Sequence, residues 1–349
     1  MFCPKCGNEV KDGTAFCGNC GASLNGGAGN AAGANTGATP TPVANAAAPG
    51  ATGSAAPKKK KTGLIIGIVV VIVAIIVVVV GVTSCGGSGV AVKDSTEAYT
   101  WDELSKISGE IAGASDENKA VEIAKKYHLT TPDGKLDGNQ TKSVTLSNGV
   151  QTSVQIAGFA HDEKADGGKA GITFIFKDCI GEHVMNSSNT NAGGWEASQM
   201  RSWLNSDVLN QLPTDLKNKV VKVNKLTNNT GETQSPSFVT KTQDSLWLFS
   251  FKELAGDISQ SDFSSYRAYV ADIWNAEGAE YKLFRDAGVT WNNSNDILRK
   301  TYNGSSYTWW ERSARPSYSN IFENVNTNGN PSYRDNASGS YAVVPGFCI

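Results

Sequence analysis

Cys3, Cys6, Cys17 and Cys20 make two C-x-x-C pairs within the first twenty residues of a 349-residue chain. Thiolates are soft ligands, and four of them suit a tetrahedral Zn²⁺. Gly7 and Gly21 follow the two pairs and let backbone N–H groups approach the sulfurs. The ten residues between Cys6 and Cys17 are fewer than the roughly 15–20 of the common spacing, yet enough for one short hairpin. A segment of about twenty residues cannot bury a sufficient core, so metal would supply most of its folding free energy. Four thiolates leave no open coordination position and no general base lies nearby, so structural rather than catalytic Zn²⁺ is expected. Disulfides or a redox pair are the alternatives; a reducing compartment favours zinc.

Chemistry elsewhere in the chain is sparser. The other three of the seven cysteines, Cys85, Cys179 and Cys348, are scattered, which suggests two redox settings in one polypeptide. Cys179 and Cys348 each end an apolar strand. If those strands pair, a disulfide is within reach; two separately buried thiols are the alternative. The three histidines, His128, His161 and His183, sit in no nucleophile motif, and no triad stands out. No enzymatic activity is therefore expected. His161-Asp162-Glu163 to Asp166-Gly167-Gly168 groups oxygen ligands before a glycine turn, but without EF-hand spacing, so a solvated turn is the preferred reading. A net charge of -2 argues against nucleic acid as a partner.

The elements that must carry these residues fall in a definite order. Residues 1–25 hold the cysteine cluster. Residues 26–61 are mostly Gly, Ala, Asn, Thr and Pro, which predicts a disordered linker, with Lys58 to Lys61 at its end. Leu64 to Val82 is aliphatic, broken only by Gly67, Ala74 and Gly81. That length spans a hydrocarbon layer of about 30 Å, so residues 62–84 are expected to form a single transmembrane helix. The lysines on its N-terminal flank place the N-terminus in the cytoplasm and the C-terminal domain outside. A cleaved signal peptide, or lipoprotein processing at Val82-Thr83-Ser84-Cys85, are the alternatives. Residues 93–140 read as a helical pair. Thr100-Trp101-Asp102-Glu103 is a capping box with Trp101, Leu104, Ile107 and Ile111 on one face, and Ser115-Asp116-Glu117 opens the second helix. Val144 to Leu146 and Val154 to Phe159 flank an Asn148-Gly149 turn as a hairpin. Ile172 to Phe176, apolar on both faces, predicts a central strand. Val220 to Leu226, Leu246 to Ser250 and Tyr341 to Ile349 read as further strands, and Ser259 to Ser340 has weak periodicity.

Two resemblances follow. The N-terminal cysteines resemble the small zinc ribbons at the start of many bacterial membrane proteins. The stretch Gly193 to Asn205, carrying Trp195, Ser198, Arg201, Trp203, Leu204 and Asn205, resembles the W-x-x-S-x-x-R-x-W-L-N signature of an uncharacterised bacterial surface domain, domain-of-unknown-function family six-two-seven-three. Asp244 to Ser250, Trp309 to Ser313 and Gly346 to Ile349 extend that resemblance over about Val150 to Ile349. The family is similar to C-type-lectin-like folds with formylglycine-generating and sulfatase-modifying relatives. That implies an α+β architecture for residues 141–349: two helices, a small twisted sheet and paired terminal strands. The chain departs from the enzymatic relatives in lacking a close cysteine pair in its last third, so their oxidase activity does not carry over. It also has Val344-Pro345 where the commoner ending has arginine before proline. Trp291-Asn292-Asn293 with Asp296 is faintly similar to the calcium and sugar motif of true C-type lectins.

The sequence reading is thus α+β: a small zinc ribbon, a disordered linker, a single transmembrane helix, then a C-type-lectin-like outer domain. Trp195, Trp203, Trp247, Trp309 and Trp310 are expected in the core, with Arg201 and Arg312 bracing loops. The function expected is recognition at the cell surface of an extracellular ligand, glycan or protein. The rivals are a sensor or assembly factor whose ribbon recruits a cytoplasmic partner, and a sulfatase-modifying-type enzyme.

Overall fold

The computed structural model describes residues 87–264 and 267–349. The expected ribbon, linker and span at 1–25, 26–61 and 62–84 lie outside the described residues, as does Cys85. Among the described residues no helix is long and apolar enough to cross a membrane. The longest, α1 (Trp101–Ala112), has 12 residues and carries Asp102, Glu103, Lys106 and Glu110. At 1.5 Å per residue it extends about 18 Å, far short of a hydrocarbon layer of about 30 Å. The expected fold class is corrected accordingly: the described residues form a mixed helix and sheet architecture, and no membrane-spanning helix is found among them.

Local chemistry sets the first elements. Thr100 caps α1 by accepting from Glu103 N at 3.2 Å, and Thr100 N donates to Glu103 Oε2 at 2.7 Å, which closes the capping box. Trp101, Leu104, Ile107 and Ile111 are buried as the spacing predicts. Asp116 caps α2 (Glu117–Lys126). The Asn148-Gly149 turn joins β1 (Thr141–Thr145) to β2 (Gln151–Phe159). Next comes β3 (Ile172–Phe176), buried at every position because it lies inside the first sheet, of order β1-β2-β3-β13. The last strand, β13 (Gly346–Cys348), pairs antiparallel with β3. Helix α1 packs on this sheet through Trp101, edge-on to Phe174 at 5.6 Å. At Gly171 an added Cβ would lie 1.8 Å from Ser108 O, so only glycine lets the sheet approach this close to the helix.

A second sheet has the order β11-β10-β9-β12-β4. Its members are β4 (Glu182–Val184), β9 (Trp309–Ala314), β10 (Ile321–Val325), β11 (Tyr333–Asn336) and β12 (Ser340–Ala342). Two hairpins stand apart: β5 (Val223–Asn228) with β6 (Val239–Asp244), and β7 (Lys300–Tyr302) with β8 (Ser305–Tyr307). Before the first hairpin come α3 (Gln199–Trp203), a π-helical turn at Leu204–Val208, α4 (Leu209–Gln211) and α5 (Thr214–Lys217), and between the two hairpins run α6 (Phe251–Ala255), α7 (Tyr269–Asn275) and α8 (Lys282–Asp286). One core unites both sheets. A smaller one gathers Phe251, Ala255, Ile258, Val270, Ala271 and Trp274.

Several sequence expectations change. Leu246 to Ser250 is no strand: Trp247 makes one isolated bridge to Gly346, and Ser250 caps α6 in a box with Glu253. The closing segment divides at Val343-Val344-Pro345, one part in each sheet. Residues 259–340, weakly periodic in sequence, hold α7, α8 and β7 to β11. Cys179 and Cys348 are both buried free thiols.

Candidate functional site

The end of β2 turns sharply at Ala160, whose φ of 46° lies in the left-handed region that a Cβ disfavours. The turn delivers His161 and Asp162 to one wall of a cleft of about 460 Å³, with Lys225 from β5, Glu253 from α6 and Lys169 and Lys241 also lining it. Gly158, where an added Cβ would lie 3.1 Å from Tyr281 Cδ1, lets Tyr281 press against β2. The His161 ring stacks on Tyr281 at 3.8 Å.

Beneath the cleft lies a buried charge network. Lys225 Nζ donates to Asp162 Oδ1 at 2.8 Å, to Tyr281 Oη at 2.8 Å and to Glu253 Oε1 at 2.5 Å. Those three contacts use all three protons of the ammonium. Asp162 Oδ2 accepts from Thr173 Oγ1 at 2.7 Å and from Cys348 Sγ at 3.3 Å. Glu253 also receives the Arg312 guanidinium on both oxygens. Arg312 donates further to Thr227 Oγ1 at 2.7 Å and to the carbonyls of Leu248 at 2.8 Å and Leu226 at 3.1 Å.

These contacts set the ionisation states. Burial opposes ionisation of Asp162, but the Lys225 ammonium overrides it and holds the carboxyl well below the usual range. Burial likewise opposes ionisation of Glu253, and Arg312 and Lys225 keep it lowered. Burial, then the Asp162 charge, pushes Tyr281 and the Cys348 thiol well up. Burial lowers His161 against the pull of Asp162, so its imidazole is mostly neutral near pH 7. The chemical consequence is specific. Lys225 has no free proton, and Cys348 and Tyr281 stay protonated at 0 % exposure. The network therefore offers a rigid, fully paired floor and no activated nucleophile. His161 makes no side-chain hydrogen bond among the described residues.

The other sequence-derived residues serve structure. Trp195, Trp247, Trp309 and Trp310 are fully buried, whereas Trp203 is only partly buried at the core edge, stacked on His183 at 4.5 Å. Arg201 Nε donates to the buried Asp244 at 2.5 Å, and Asp244 also accepts from Trp195 Nε1 at 3.0 Å. Asn205 donates to the carbonyls of Arg201 and Leu246 and accepts from Ser245 N and Leu246 N. The signature thus ties α3 to the segment after β6. His128 takes up a positive φ of 53° away from the cleft. The acidic turn after Asp162 is a tight loop closed by Lys164 N to Gly168 O at 2.9 Å. Asp162 itself is buried and paired, contrary to the solvated-turn reading. Asn293 Oδ1 accepts from Thr290 N in a local turn. Among the described residues no group of three or more His, Cys, Asp and Glu is placed to hold a metal. Cys3, Cys6, Cys17 and Cys20 lie outside the described residues.

The signature and its buried partners fall within residues 170–349, which match the family described as Domain of unknown function (DUF6273). The chain belongs to the DUF6273 family. Residues 2–24 match a zinc-ribbon domain. No curated protein and no solved structure matches the chain. The C-type-lectin-like description gains no support from these comparisons, and the fold is described by its two sheets and their helices as they stand. Within the DUF6273 match lie Lys225, Glu253, Tyr281, Arg312 and Cys348; His161 and Asp162 precede it. Sequence reading missed this network because its members are scattered along the chain from Asp162 to Cys348. One signal was present: Ser250-Phe251-Lys252-Glu253 is a capping box that begins where the apolar run read as a strand ends.

Proposed function

We propose that this protein is a recognition protein whose C-terminal domain binds a small, neutral, polar ligand of the glycan class in the His161 cleft. The observation that carries this reading is the combination of a neutral, unpartnered imidazole with a floor whose charges are mutually satisfied. A floor with no unpaired charge asks for no charged ligand. The His161 ring, backed by Tyr281, can lie against the apolar face of a sugar ring, and His161 and Asn224 can meet hydroxyl groups. The absence of an activated nucleophile favours binding over catalysis. A glycan array probed with the full chain should give reproducible hits, and His161→Ala should weaken them at least fivefold with its melting temperature within about 2 °C of the parent. An array blank for the parent, or equal binding by the variant, would refute the reading.

At the other end of the chain, Cys3, Cys6, Cys17 and Cys20 are the residues that would hold Zn²⁺. Two knuckles of paired thiols, each followed by glycine, fit a closed tetrahedral structural site. Zinc there supplies folding free energy. The purified full chain should carry one equivalent of zinc by atomic emission, and Cys17→Ser should lose most of it. Equal zinc in both proteins, or none in the parent, contradicts the assignment.

A further inference from the structure

Lys300, at the start of β7, is 2 % exposed and lines a second cavity of about 520 Å³. Unlike that of Lys225, its side chain makes no hydrogen bond or ion pair with any described residue. Gln155 of β2, also 2 % exposed, lines the same cavity, and its Nε2 has no partner. The Lys300 ammonium and Gln155 Nε2, on two residues that line one cavity and each without an acceptor in the chain, are costly to hold there, and a folded chain tolerates such a pair most readily where a ligand completes it. Space is kept open by Gly138, at φ +82°, where an added Cβ would lie 3.3 Å from Gln155 Oε1 and 2.7 Å from Ile297 Cδ1.

The charge of the walls selects the ligand. Five aspartates line the cavity, against three cations besides Lys300: Lys135, Lys177 and Arg299. Two of these acids are already engaged: Asp178 Oδ1 accepts from Thr301 N and Oγ1, and Asp286 pairs with Lys282. Asp178 acts on Lys300 without offsetting its burial, and the excess of acids on the walls disfavours a bare anion. We infer that this cavity binds a small zwitterion of the amino-acid or betaine class, its carboxylate received by Lys300 and Gln155 and its cationic end facing the acidic wall. Burial, opposed by Asp178, lowers Lys300 to about 8, as suits a cation whose counter-ion is absent from the chain itself. The site is separate from the His161 cleft and does not depend on the glycan reading.

The test uses the full chain with glycine, L-glutamine and glycine betaine as zwitterions, and acetate and ethylamine as the two half-ligands. At least one zwitterion should raise the melting temperature by about 3 °C or more at tenfold excess over its Kd. Calorimetric titration should find acetate and ethylamine at least tenfold weaker. Lys300→Met should abolish that rise while melting at or above the unliganded parent, because it removes an uncompensated buried cation. Gln155→Leu, which keeps Lys300, should weaken binding at least threefold and serves as the deciding variant if Lys300→Met does not fold. No response to any zwitterion, acetate binding as tightly as the zwitterions, or unchanged binding in Gln155→Leu overturns the proposal.

Discussion

Arg312→Met is expected to destabilise the C-terminal domain by about 3–5 kcal/mol, the usual cost of removing one partner from a buried ion pair. Arg312 and Glu253 are essentially unexposed, at 0 % and 2 %. The guanidinium meets both Glu253 oxygens and reaches the carbonyls of Leu226, Leu248 and Glu277. Methionine fills much of the same volume, so the loss would come from stranded acceptors rather than from a cavity. Denaturant titration of the full chain measures it. An internal control is Lys135→Met, which breaks an exposed pair with Asp133, 63 % and 64 % exposed, and should shift stability by less than about 0.5 kcal/mol. Adding Glu253→Gln to Arg312→Met should recover part of the loss, because the orphaned charge goes with it. A loss below about 1 kcal/mol for Arg312→Met, or a double variant as unstable as the summed singles, would show that the pair does not organise this core.

The network also shows why the sequence was legible in parts. Elements closed by contacts a few residues apart could be read. The Thr100–Glu103 box started α1 where the spacing placed it, and Asn148-Gly149 joined the hairpin. Ile172 to Phe176, apolar throughout, lies inside its sheet. Where contacts are distant, the reading failed. Strand β6 is Val239-Thr240-Lys241-Thr242-Gln243-Asp244, largely polar and exposed, and only its six-residue register with β5 makes it a strand. Trp247 and Phe249 sit in an apolar run that resembles a strand, yet the Ser250 cap takes over directly after it. Trp203 has the helical spacing of a core residue, but it is only partly buried and covers the core edge against His183. The candidate cleft was least legible of all. His161 and Asp162 looked like part of an acidic turn, and nothing within twenty residues of Asp162 announces Lys225 or Tyr281, its partners across 63 and 119 positions.

A different buried acid should respond in the opposite direction to Arg312. Glu311, next to Arg312 on β9, is 0 % exposed, and neither of its carboxyl oxygens has a partner among the described residues. Glu323 on the neighbouring β10 is equally buried. Its Oε1 pairs with Arg315 Nη1 at 3.0 Å, while its Oε2 and the Arg315 Nε stay unpartnered. Burial, then repulsion from Glu323 and Glu277, pushes Glu311 well above the usual carboxyl range against a weaker pull from Arg312. Burial, joined at Glu277 by repulsion from Glu253, pushes Glu277 and Glu323 up to about 7 despite their hydrogen bonds. Folding therefore holds protons that the unfolded chain would release above pH of about 4.5. The stability linked to these groups is complete below that value and is lost as pH rises through about 7 for Glu277 and Glu323, and beyond it for Glu311. His161 and His183, both lowered mainly by burial, push the other way below about pH 6.5. The absolute profile thus mixes two trends, whereas the difference between Glu311→Gln and the parent isolates one. Glutamine is nearly isosteric and never ionises. Its advantage should be small at pH 5 and grow by up to about 1.4 kcal/mol per pH unit, reaching on the order of 2–4 kcal/mol near pH 7.5. Thermal unfolding of both proteins from pH 5 to pH 8 reads this directly. A difference that stays flat with pH would mean that Glu311 is already ionised and compensated in the folded chain, and the buried acids of β9 and β10 would then need a cation that their neighbours do not provide.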